Sequence, residues 1–437
     1  MRSLNVVFYM KRVLIPWKMP HYQAINGFHP LFSDLLQHPR TDIEYLFPDM
    51  IEGTYSKEDL DQISNHVIAE SLKIGQRFSQ AGSSYLEEVR HYLETYIETR
   101  DIRAQAQILS YSDRADLVFH HTTPLHLSSM PYILHFESLT TLFYPFLLHG
   151  HNLNVDLRRE LIFSIVKDLL ENPACRAIFT HIKSSADILC RSFASDIINA
   201  KVSYIPLGVA VPQMISERVE EKLKQTATTN KINILFTNSA HGAGPSFLLR
   251  GGHDLLVAFQ NHRAVYSESH LTIVSSGRDA FEQVHPDLLQ GVEWIDHGID
   301  DDYLFDLLVK ADVFALPAAG LHSYSVLRAM RCGTVLICSD APGYEEFVSE
   351  GETALVVKGR LEDNYSCEPD TGWWRDDYTS MKKFNLNIVA QLTEIFNFLS
   401  DNPDRRRTIA MKAVTHAQNH HAIEPWGRAV TDLIHSA

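Results

Sequence analysis

Three histidines end two short apolar segments in the first half of the chain. His120 and His121 close the segment DLVFHH, and His135 closes PYILH. A neutral imidazole donates a hydrogen bond from one ring nitrogen and accepts at the other, and its charge changes near neutral pH. Histidines at these positions can therefore orient a hydroxyl group or exchange a proton with it. Successive strand residues point to opposite faces, so we predict that only one of His120 and His121 faces a ligand.

Arg250 comes just before the predicted helix GGHDLLVAFQNH. A guanidinium group forms two charge-assisted hydrogen bonds with a phosphate. A helix N-terminus also favours an anion, whereas an isolated cation there is unfavourable. The position therefore predicts an anion beside Arg250. Gly242 and Gly244 in the preceding loop fit either a phosphate-binding loop or a plain turn.

Small and polar residues follow several apolar segments in the second half of the chain. Such residues bring hydrogen-bond donors and backbone N–H groups close to a phosphate or a sugar. The ligand contacts that we predict in this half are Asn238, Ser239, Gly242, Gly244, Arg250, Gly277, His297, Gly298, Gly320, Ser323, Arg328, Glu345 and Glu346.

The elements that must position these residues alternate between apolar strands and helices. This alternation predicts parallel sheets with helices on both faces. We therefore predict an α/β fold of two doubly wound, Rossmann-like domains that face a cleft, with ligands outside the carboxyl ends of the strands. The predicted divisions are a domain over residues 1–211, a linker over 212–230, a second domain over 231–418 and a final helix over 419–437 that packs back on the first domain. Two helices are predicted within residues 56–108, and an insertion loop is predicted over 360–378.

Composition excludes several classes of protein. The 437 residues have a formal net charge of -15, which argues against a non-specific nucleic-acid binder. Five cysteines without Cys-x-x-Cys spacing predict neither a disulfide framework nor a structural zinc site, and are typical of a cytoplasmic protein. The N-terminus predicts no signal peptide, and no apolar run is long enough to span a membrane. Contact of four N-terminal cations with a membrane surface stays open.

The segment KADVFALPAAGLHSYSVLRAMRCGTVLICSDAPGYEEFVSEGETALVV resembles the donor domain of glycosyltransferase family 4. The pieces that match include Ala329-Met330 and the run Cys332-Gly333-Thr334. The resemblance implies the GT-B architecture and transfer of a sugar from a nucleotide-diphosphate sugar with retention of anomeric configuration. It also implies a hexosyltransferase that needs no metal ion and acts on a glycan or another hydroxyl acceptor. Surface polysaccharide synthesis at the inner face of the membrane is the expected setting.

The same resemblance implies roles for individual residues. Arg250 stands where the family has a basic residue on the donor diphosphate, and His135 where it has a histidine beside the reacting centre. His120 and His121 would lie on the acceptor side. The catalytic group expected from this comparison is His135, Arg250 and His322.

Two positions depart from the family pattern. The family has two glutamates separated by seven residues, and here Gly320 and Arg328 occupy those positions. An arginine has no acceptor atom for a ribose hydroxyl, so the nucleoside must be held differently. His322 could contact the sugar while Glu345 or Glu346 supplies a carboxylate and Arg328 binds a phosphate or an acidic sugar.

The loss of both glutamates is also compatible with a different donor or with lost activity. The donor could be an acidic sugar, Arg328 could point to solvent and pair with a nearby acid, or donor binding could have been lost. Two alternatives to a transferase follow: a nucleotide-sugar 2-epimerase and a carbohydrate-binding pseudoenzyme. Asp300, Asp301 and Asp302 are interpreted as a helix cap, and Trp373 and Trp374 either shape the donor pocket or anchor a long loop.

Overall fold

The structure is a computed structural model that describes residues 10–17, 29–37, 40, 42–47, 105, 108, 111–126, 128–144, 146–225, 230–238, 245–295 and 298–437. Its first half contains a parallel sheet of six strands in the spatial order β2-β1-β3-β4-β5-β6. The strands are β1 (Lys11–Leu14), β2 (Ile43–Leu46), β3 (Leu117–His121), β4 (Tyr132–His135), β5 (Cys175–Thr180) and β6 (Val202–Tyr204). Strands β3 and β4 are buried along their whole length, as expected for a parallel sheet covered on both faces.

Helices flank this first sheet. They are α1 (Ser33–Gln37), α2 (Leu139–Leu142), α3 (Leu161–Glu171), α4 (Lys183–Phe193) and α5 (Asp196–Asn199). Helix α3 buries one apolar stripe that includes Ile162, Ile165 and Leu169, which is the pattern of a helix packed on a sheet. The two helices predicted within residues 56–108 lie outside the described residues, apart from Gln105 and Ile108.

The second half contains another parallel sheet of six strands, in the order β12-β11-β10-β7-β8-β9. These strands are β7 (Asn233–Thr237), β8 (His270–Val274), β9 (Val292–Ile295), β10 (Val313–Leu316), β11 (Val335–Ser339) and β12 (Ala354–Val357). In both sheets the strand order reverses beside the first strand, which makes the doubly wound topology. The two sheets confirm the predicted fold class.

Helices also form much of the second half of the chain. They are α6 (Gln213–Lys224), α7 (Pro245–Leu249), α8 (Gly252–Arg263), α9 (Arg278–Val284), α10 (Asp301–Lys310), α11 (Ser323–Arg331), α12 (Arg360–Asn364), α13 (Leu386–Asp401), α14 (Pro403–His420) and α15 (Ile423–Ser436). The Asp300 side chain accepts a hydrogen bond from the Tyr303 backbone N–H, which confirms its interpretation as a helix cap. Helix α6, inside the predicted linker, buries Ile215 and Val219.

The segment 360–378, which was predicted as an insertion loop, contains regular secondary structure. It forms α12 and then an antiparallel hairpin of β13 (Tyr365–Cys367) and β14 (Trp374–Asp376). The buried Arg360 guanidinium forms an ion pair with Asp254 of α8, which ties the segment to the second domain. The prediction of a loop was wrong because this anchor lies 106 residues away in sequence and leaves no local periodic pattern.

The last helix, α15, contacts the first sheet and its flanking elements. The Trp426 and Phe32 rings lie 6.0 Å apart, and His435 Nε2 lies 2.9 Å from Asp42 Oδ2. These contacts connect the end of the chain with its beginning. Among the described residues, no helix is long and apolar enough to cross a membrane.

Candidate functional site

A cavity of about 1160 Å³ opens between the two sheets. Both halves of the chain line it, at the carboxyl ends of their strands. Seven residues predicted from the sequence line this cleft: Asn238, Arg250, Gly298, Gly320, His322, Ser323 and Arg328. Residues predicted from the sequence therefore form part of the wall that the second half of the chain contributes to the cleft.

Other predicted residues lie elsewhere. Gly277 begins helix α9 and is not part of the cleft lining, and neither are His120, His121, His135, Glu345 and Glu346. The structure therefore does not bring these six residues to the surface of this cleft, and their contact with a ligand stays a prediction. Ser239, Gly242, Gly244 and His297 lie outside the described residues.

Arg250 and His322 form a pair at the cleft surface of the second domain. Arg250 Nη2 lies 3.3 Å from His322 Nδ1, and Nη1 lies 3.4 Å from the backbone oxygen of Thr237. Because a guanidinium can only donate, His322 Nδ1 accepts and its Nε2 carries the ring hydrogen. Burial and then the charge of Arg250 hold the pKa of His322 well below its usual value. The pair therefore presents a cation and a neutral N–H donor.

Gly251 fixes the turn that follows Arg250. Its φ is +78°, and a Cβ atom there would lie 2.3 Å from the backbone oxygen of Pro317. Only glycine fits such a left-handed conformation at such a close approach. This turn places Arg250 directly before the N-terminus of α8, and so beside the favourable end of the helix dipole.

A chain of buried imidazoles crosses from the first domain to the second. His121 Nδ1 lies 3.0 Å from His135 Nδ1, His135 Nε2 lies 3.0 Å from His181 Nδ1, and His181 Nε2 lies 2.8 Å from Ser323 Oγ. Burial lowers the pKa of His181 to about 3 and holds that of His135 well below its usual value, so both rings are neutral. Each neutral ring has one N–H, so it donates one hydrogen bond and accepts the other. The hydrogen bonds from His121 to Ser323 therefore all run in the same direction from donor to acceptor. His135 lies behind His181 and Ser323, which both line the cleft.

The alternation of side chains along a strand explains why His120, next to His121, does not belong to this chain of rings. His120 points to the opposite face of the sheet, where its Nε2 lies 3.0 Å from His126 Nδ1. His181 was not identified from the sequence. It follows β5 directly, in CRAIFTHIK, so the rule that found His121 and His135 could also have found His181.

Arg328 is almost completely buried, with 5% of its surface exposed. Its Nη1 donates to Asp301 Oδ1 at 3.0 Å, and its guanidinium carbon lies 4.3 Å above the centre of the Phe305 ring. Its Nε and Nη2 have no hydrogen-bond partner among the described residues. The hypothesis that Arg328 points to solvent was therefore wrong, although its pairing with an acid is present.

The two glutamates considered as a replacement carboxylate do not serve that role. Glu346 accepts hydrogen bonds from the backbone N–H groups of Lys183 and Ser184, at 2.5 and 2.8 Å, so it caps helix α4 of the first domain. Glu345 is exposed outside the cleft. The carboxylate that does line the cleft near Arg328 is Asp301.

The β13-β14 hairpin closes one side of the cleft. Trp373, Trp374 and Tyr378 line the cavity, and Trp373, which is 3% exposed, also packs in the hydrophobic core of the first domain. Trp373 therefore combines the two roles suggested for the tryptophans, because it anchors the segment and also forms part of the cavity wall. Tyr365 donates a hydrogen bond to the backbone oxygen of Ala319 at 2.7 Å, which holds the hairpin against the second domain.

A second group of ionisable residues lines the cleft from the first domain. His149 Nδ1 lies 3.0 Å from Asp376 Oδ2 of the hairpin. Glu137 lies nearby, and burial raises its pKa while the charge of His149 opposes that shift. Neither Glu137 nor His149 was identified from the sequence, and the pairing of His149 with Asp376 could not be, because it joins segments 227 residues apart.

Comparison with known families and structures agrees with this geometry. Residues 248–366 match the family described as glycosyl transferases group 1. A comparison with curated proteins finds no match. The Anabaena HepE structure in complex with UDP is 11% identical, with a TM-score of 0.53 over 98% of this chain and 100% of that one. A glycosyltransferase from Rickettsia africae is 10% identical, with a TM-score of 0.53 over 98% of both chains.

A third similar structure is WaaG, a glycosyltransferase involved in lipopolysaccharide biosynthesis. It is 13% identical, with a TM-score of 0.50 over 77% of this chain and 82% of that chain. At these identities the similarity shows the fold alone, which is the two-domain GT-B architecture.

Proposed function

We propose that the protein transfers a sugar from a nucleotide-diphosphate sugar to a hydroxyl acceptor. The observation that carries the proposal is the pair Arg250 and His322, which faces the cleft within the segment that matches the glycosyl transferases group 1 family. The structures of HepE with UDP and with UDP-glucose support a nucleotide sugar as the donor class. In this proposal the second domain binds the donor and the first domain binds the acceptor.

The donor diphosphate would lie on Arg250. Transfer leaves an additional negative charge on the departing diphosphate, and a preorganised guanidinium stabilises that charge where it develops. His322 Nε2–H and the N-terminus of α8 would add neutral donors on the same side. The family resemblance predicts that no metal ion is required, and we retain that as a proposal because Arg250 supplies the positive charge.

Asp301 would bind the ribose of the donor. Arg328 holds its Oδ1, and its Oδ2 has no hydrogen-bond partner among the described residues. A carboxylate oxygen accepts hydrogen bonds from sugar hydroxyls. Val274, Ile299 and Leu304 line the adjoining surface and offer an apolar wall to the base. Arg328 would then be a positioning residue that restores a carboxylate from another helix.

Finer parts of the proposal follow the family resemblance. We propose retention of the anomeric configuration, hexosyl transfer to a glycan and a role in surface polysaccharide synthesis in the cytoplasm, at the inner face of the membrane. Two of the N-terminal cations are engaged within the protein: Arg12 pairs with Asp116 at 3.4 Å, and Lys11 donates to the backbone oxygen of His435 at 3.4 Å. A membrane contact would therefore depend on other residues.

A nucleotide-sugar 2-epimerase is a second candidate. Glu137 and His149 line the same cleft and provide the acid and base groups that an epimerase would need. A putative UDP-N-acetylglucosamine 2-epimerase from Listeria monocytogenes has a similar fold, with a TM-score of 0.50 and 12% identity. Formation of an epimerised nucleotide sugar without any acceptor would identify this activity.

A thermal-shift screen tests the proposed donor class. UDP, GDP, dTDP, ADP and CMP and their sugars would be added separately. A ligand at a hundred times its Kd should stabilise the native state by about 2.7 kcal/mol, so one nucleotide is expected to raise Tm clearly above the others. If none of them changes Tm, donor binding is absent and the pseudoenzyme alternative replaces the transferase.

The Asp301→Asn variant tests the ribose contact. A hydrogen bond to a charged group contributes about 1.5–3 kcal/mol, so affinity for the selected nucleoside diphosphate should fall roughly 10- to 100-fold. The 2′-deoxy and 3′-deoxy analogues should bind the variant and the wild type more equally, because the lost partner is a ribose hydroxyl. Calorimetry measures both effects. Asp302→Asn is the matched control, and an unchanged affinity in Asp301→Asn would contradict the assignment.

A further inference from the structure

We propose that His149, oriented by Asp376, is the base that receives the proton of the acceptor hydroxyl. The inference rests on the proposed transferase function. His149 Nδ1 lies 3.0 Å from Asp376 Oδ2, the Asp376 side chain is 3% exposed, and the His149 side chain is 49% exposed. A buried carboxylate beside an accessible imidazole is an arrangement that orients a general base.

Contacts with residues outside the pair hold together the two segments that carry His149 and Asp376. The Asp376 backbone N–H donates to Asn152 Oδ1 at 2.6 Å, and the Asn152 backbone N–H donates to the Asp376 backbone oxygen at 3.0 Å. Gly150 has a φ of +80°, and a Cβ atom there would lie 2.6 Å from the Tyr378 ring. The loop of the first domain therefore packs directly on the hairpin, and the distance between His149 and Asp376 is fixed by these contacts.

The hydrogen bond determines which ring nitrogen is available. A carboxylate oxygen accepts, so His149 Nδ1 carries the ring hydrogen and Nε2 is the acceptor nitrogen. Its partner in this structure is the Ser138 hydroxyl, with 3.5 Å between Oγ and Nε2. His149 lines the cleft from the first domain and His322 lines it from the second. An acceptor between the two domains would therefore meet Nε2 of His149.

In the proposed step, transfer of the sugar moves one proton from the acceptor hydroxyl to His149. The acceptor oxygen forms a bond to the anomeric carbon while its proton moves to His149 Nε2. The bond between the anomeric carbon and the diphosphate oxygen breaks, and its electron pair stays on the departing diphosphate. Asp376 stabilises the imidazolium, which later returns the proton to solvent. The proposal concerns the destination of the proton, and attack on either face of the sugar is compatible with it.

Ser138 offers a different use of the same histidine. Its Oγ lies 3.5 Å from His149 Nε2, so the three side chains resemble a nucleophile with its base. However, Ser138 Oγ also accepts a hydrogen bond from the Thr141 backbone N–H as the cap of helix α2. This cap uses a lone pair of the serine oxygen and leaves its O–H able to donate to His149 Nε2, so the two roles are separated by the variants that abolish turnover.

The experiment measures release of nucleoside diphosphate from UDP-glucose, GDP-mannose, ADP-glucose and dTDP-glucose, with water as the acceptor. For a donor that the wild type turns over, His149→Gln should lower the rate about 100- to 10,000-fold, the range of general-base catalysis. Donor Kd, measured by calorimetry, should stay within about three-fold because the histidine acts only on the proton. Asp376→Asn should lower the rate in the same direction, again with donor binding retained. His151→Gln, which changes an exposed histidine of the same loop, is the matched control.

Azide distinguishes a lost base from a damaged structure. The azide anion has no proton to remove, so it should form a glycosyl azide with His149→Gln and with Asp376→Asn while water fails. A rate in His149→Gln within about three-fold of wild type would overturn the proposal. Loss of turnover in Ser138→Ala with turnover retained in His149→Gln would also overturn it in favour of a nucleophile. A wild type that binds and turns over none of the four donors would instead contradict the proposed function.

Discussion

Replacing Arg250 with alanine should weaken binding of the selected nucleoside diphosphate by at least about 100-fold, since a charged pair of hydrogen bonds contributes roughly 3 kcal/mol. The guanidinium faces the cleft, directly before the N-terminus of α8, and donates to His322 Nδ1. Its removal takes away the phosphate partner and also leaves the histidine ring free to change its tautomer. We therefore expect turnover to fall by more than donor affinity does, because the leaving diphosphate loses its stabilising charge.

Calorimetry of the nucleoside diphosphate with three variants separates the contributions. Arg250→Lys retains the charge without the planar fork, so its affinity should lie between those of the wild type and Arg250→Ala. Arg278→Ala is the matched control because Arg278 also begins a helix after a strand, α9, but it does not line the cleft. Equal affinity in Arg250→Ala and wild type would place the phosphate elsewhere and remove the main support for the proposed function.

The strand-end rule explains what the sequence could predict. A parallel sheet brings the carboxyl ends of its strands to one edge, so residues that follow apolar segments meet in the cleft whatever the details of packing. Asn238 and His322 were found in this way, whereas Arg250 was predicted from its place before a helix N-terminus and from the family resemblance. The rule predicts which residues lie along the edge of the sheet, but it does not predict how deeply each side chain is buried. His135 consequently lies one ring behind the cleft surface, next to His181.

Residues that depend on long-range packing could not be predicted. Asp376 meets His149 only because the hairpin folds back over the first domain, and Asp301 meets Arg328 only because the fold brings these side chains of α10 and α11 together. Neither contact produces a periodic pattern in the sequence, because the periodicity of apolar residues reports only which face of a single helix or strand is buried. The replacement of the two family glutamates was visible in the sequence, whereas the contact of Arg328 with Asp301, the carboxylate that we propose as the ribose partner, became visible only in the structure.

Acidification from pH 7 to pH 5 should reduce the free energy of unfolding by several kcal/mol. Burial lowers the pKa of His126 to about 4, that of His181 to about 3 and that of His421 to about 4, while the unfolded chain titrates near its usual value of about 6.5. Between those values the unfolded state binds protons that the folded state does not bind, so stability rises with pH. Each histidine contributes about 1.4 kcal/mol per pH unit in this window, and three give about 4 kcal/mol per pH unit near pH 5.

Urea unfolding followed by circular dichroism at pH 7, 6 and 5 measures this slope. The buried His120 and His135 shift in the same direction, whereas burial raises the pKa of Glu137 and gives a contribution of opposite sign. His126→Gln should lower the slope by about 1.4 kcal/mol per pH unit, whatever its effect on stability at pH 7, and His270→Gln, which changes an exposed histidine, should leave the slope unchanged. A free energy of unfolding that stays constant from pH 7 to pH 5 would mean that these imidazoles take up protons in the folded state. The chain of neutral rings from His121 to Ser323 would then not have the single direction that their hydrogen bonds require.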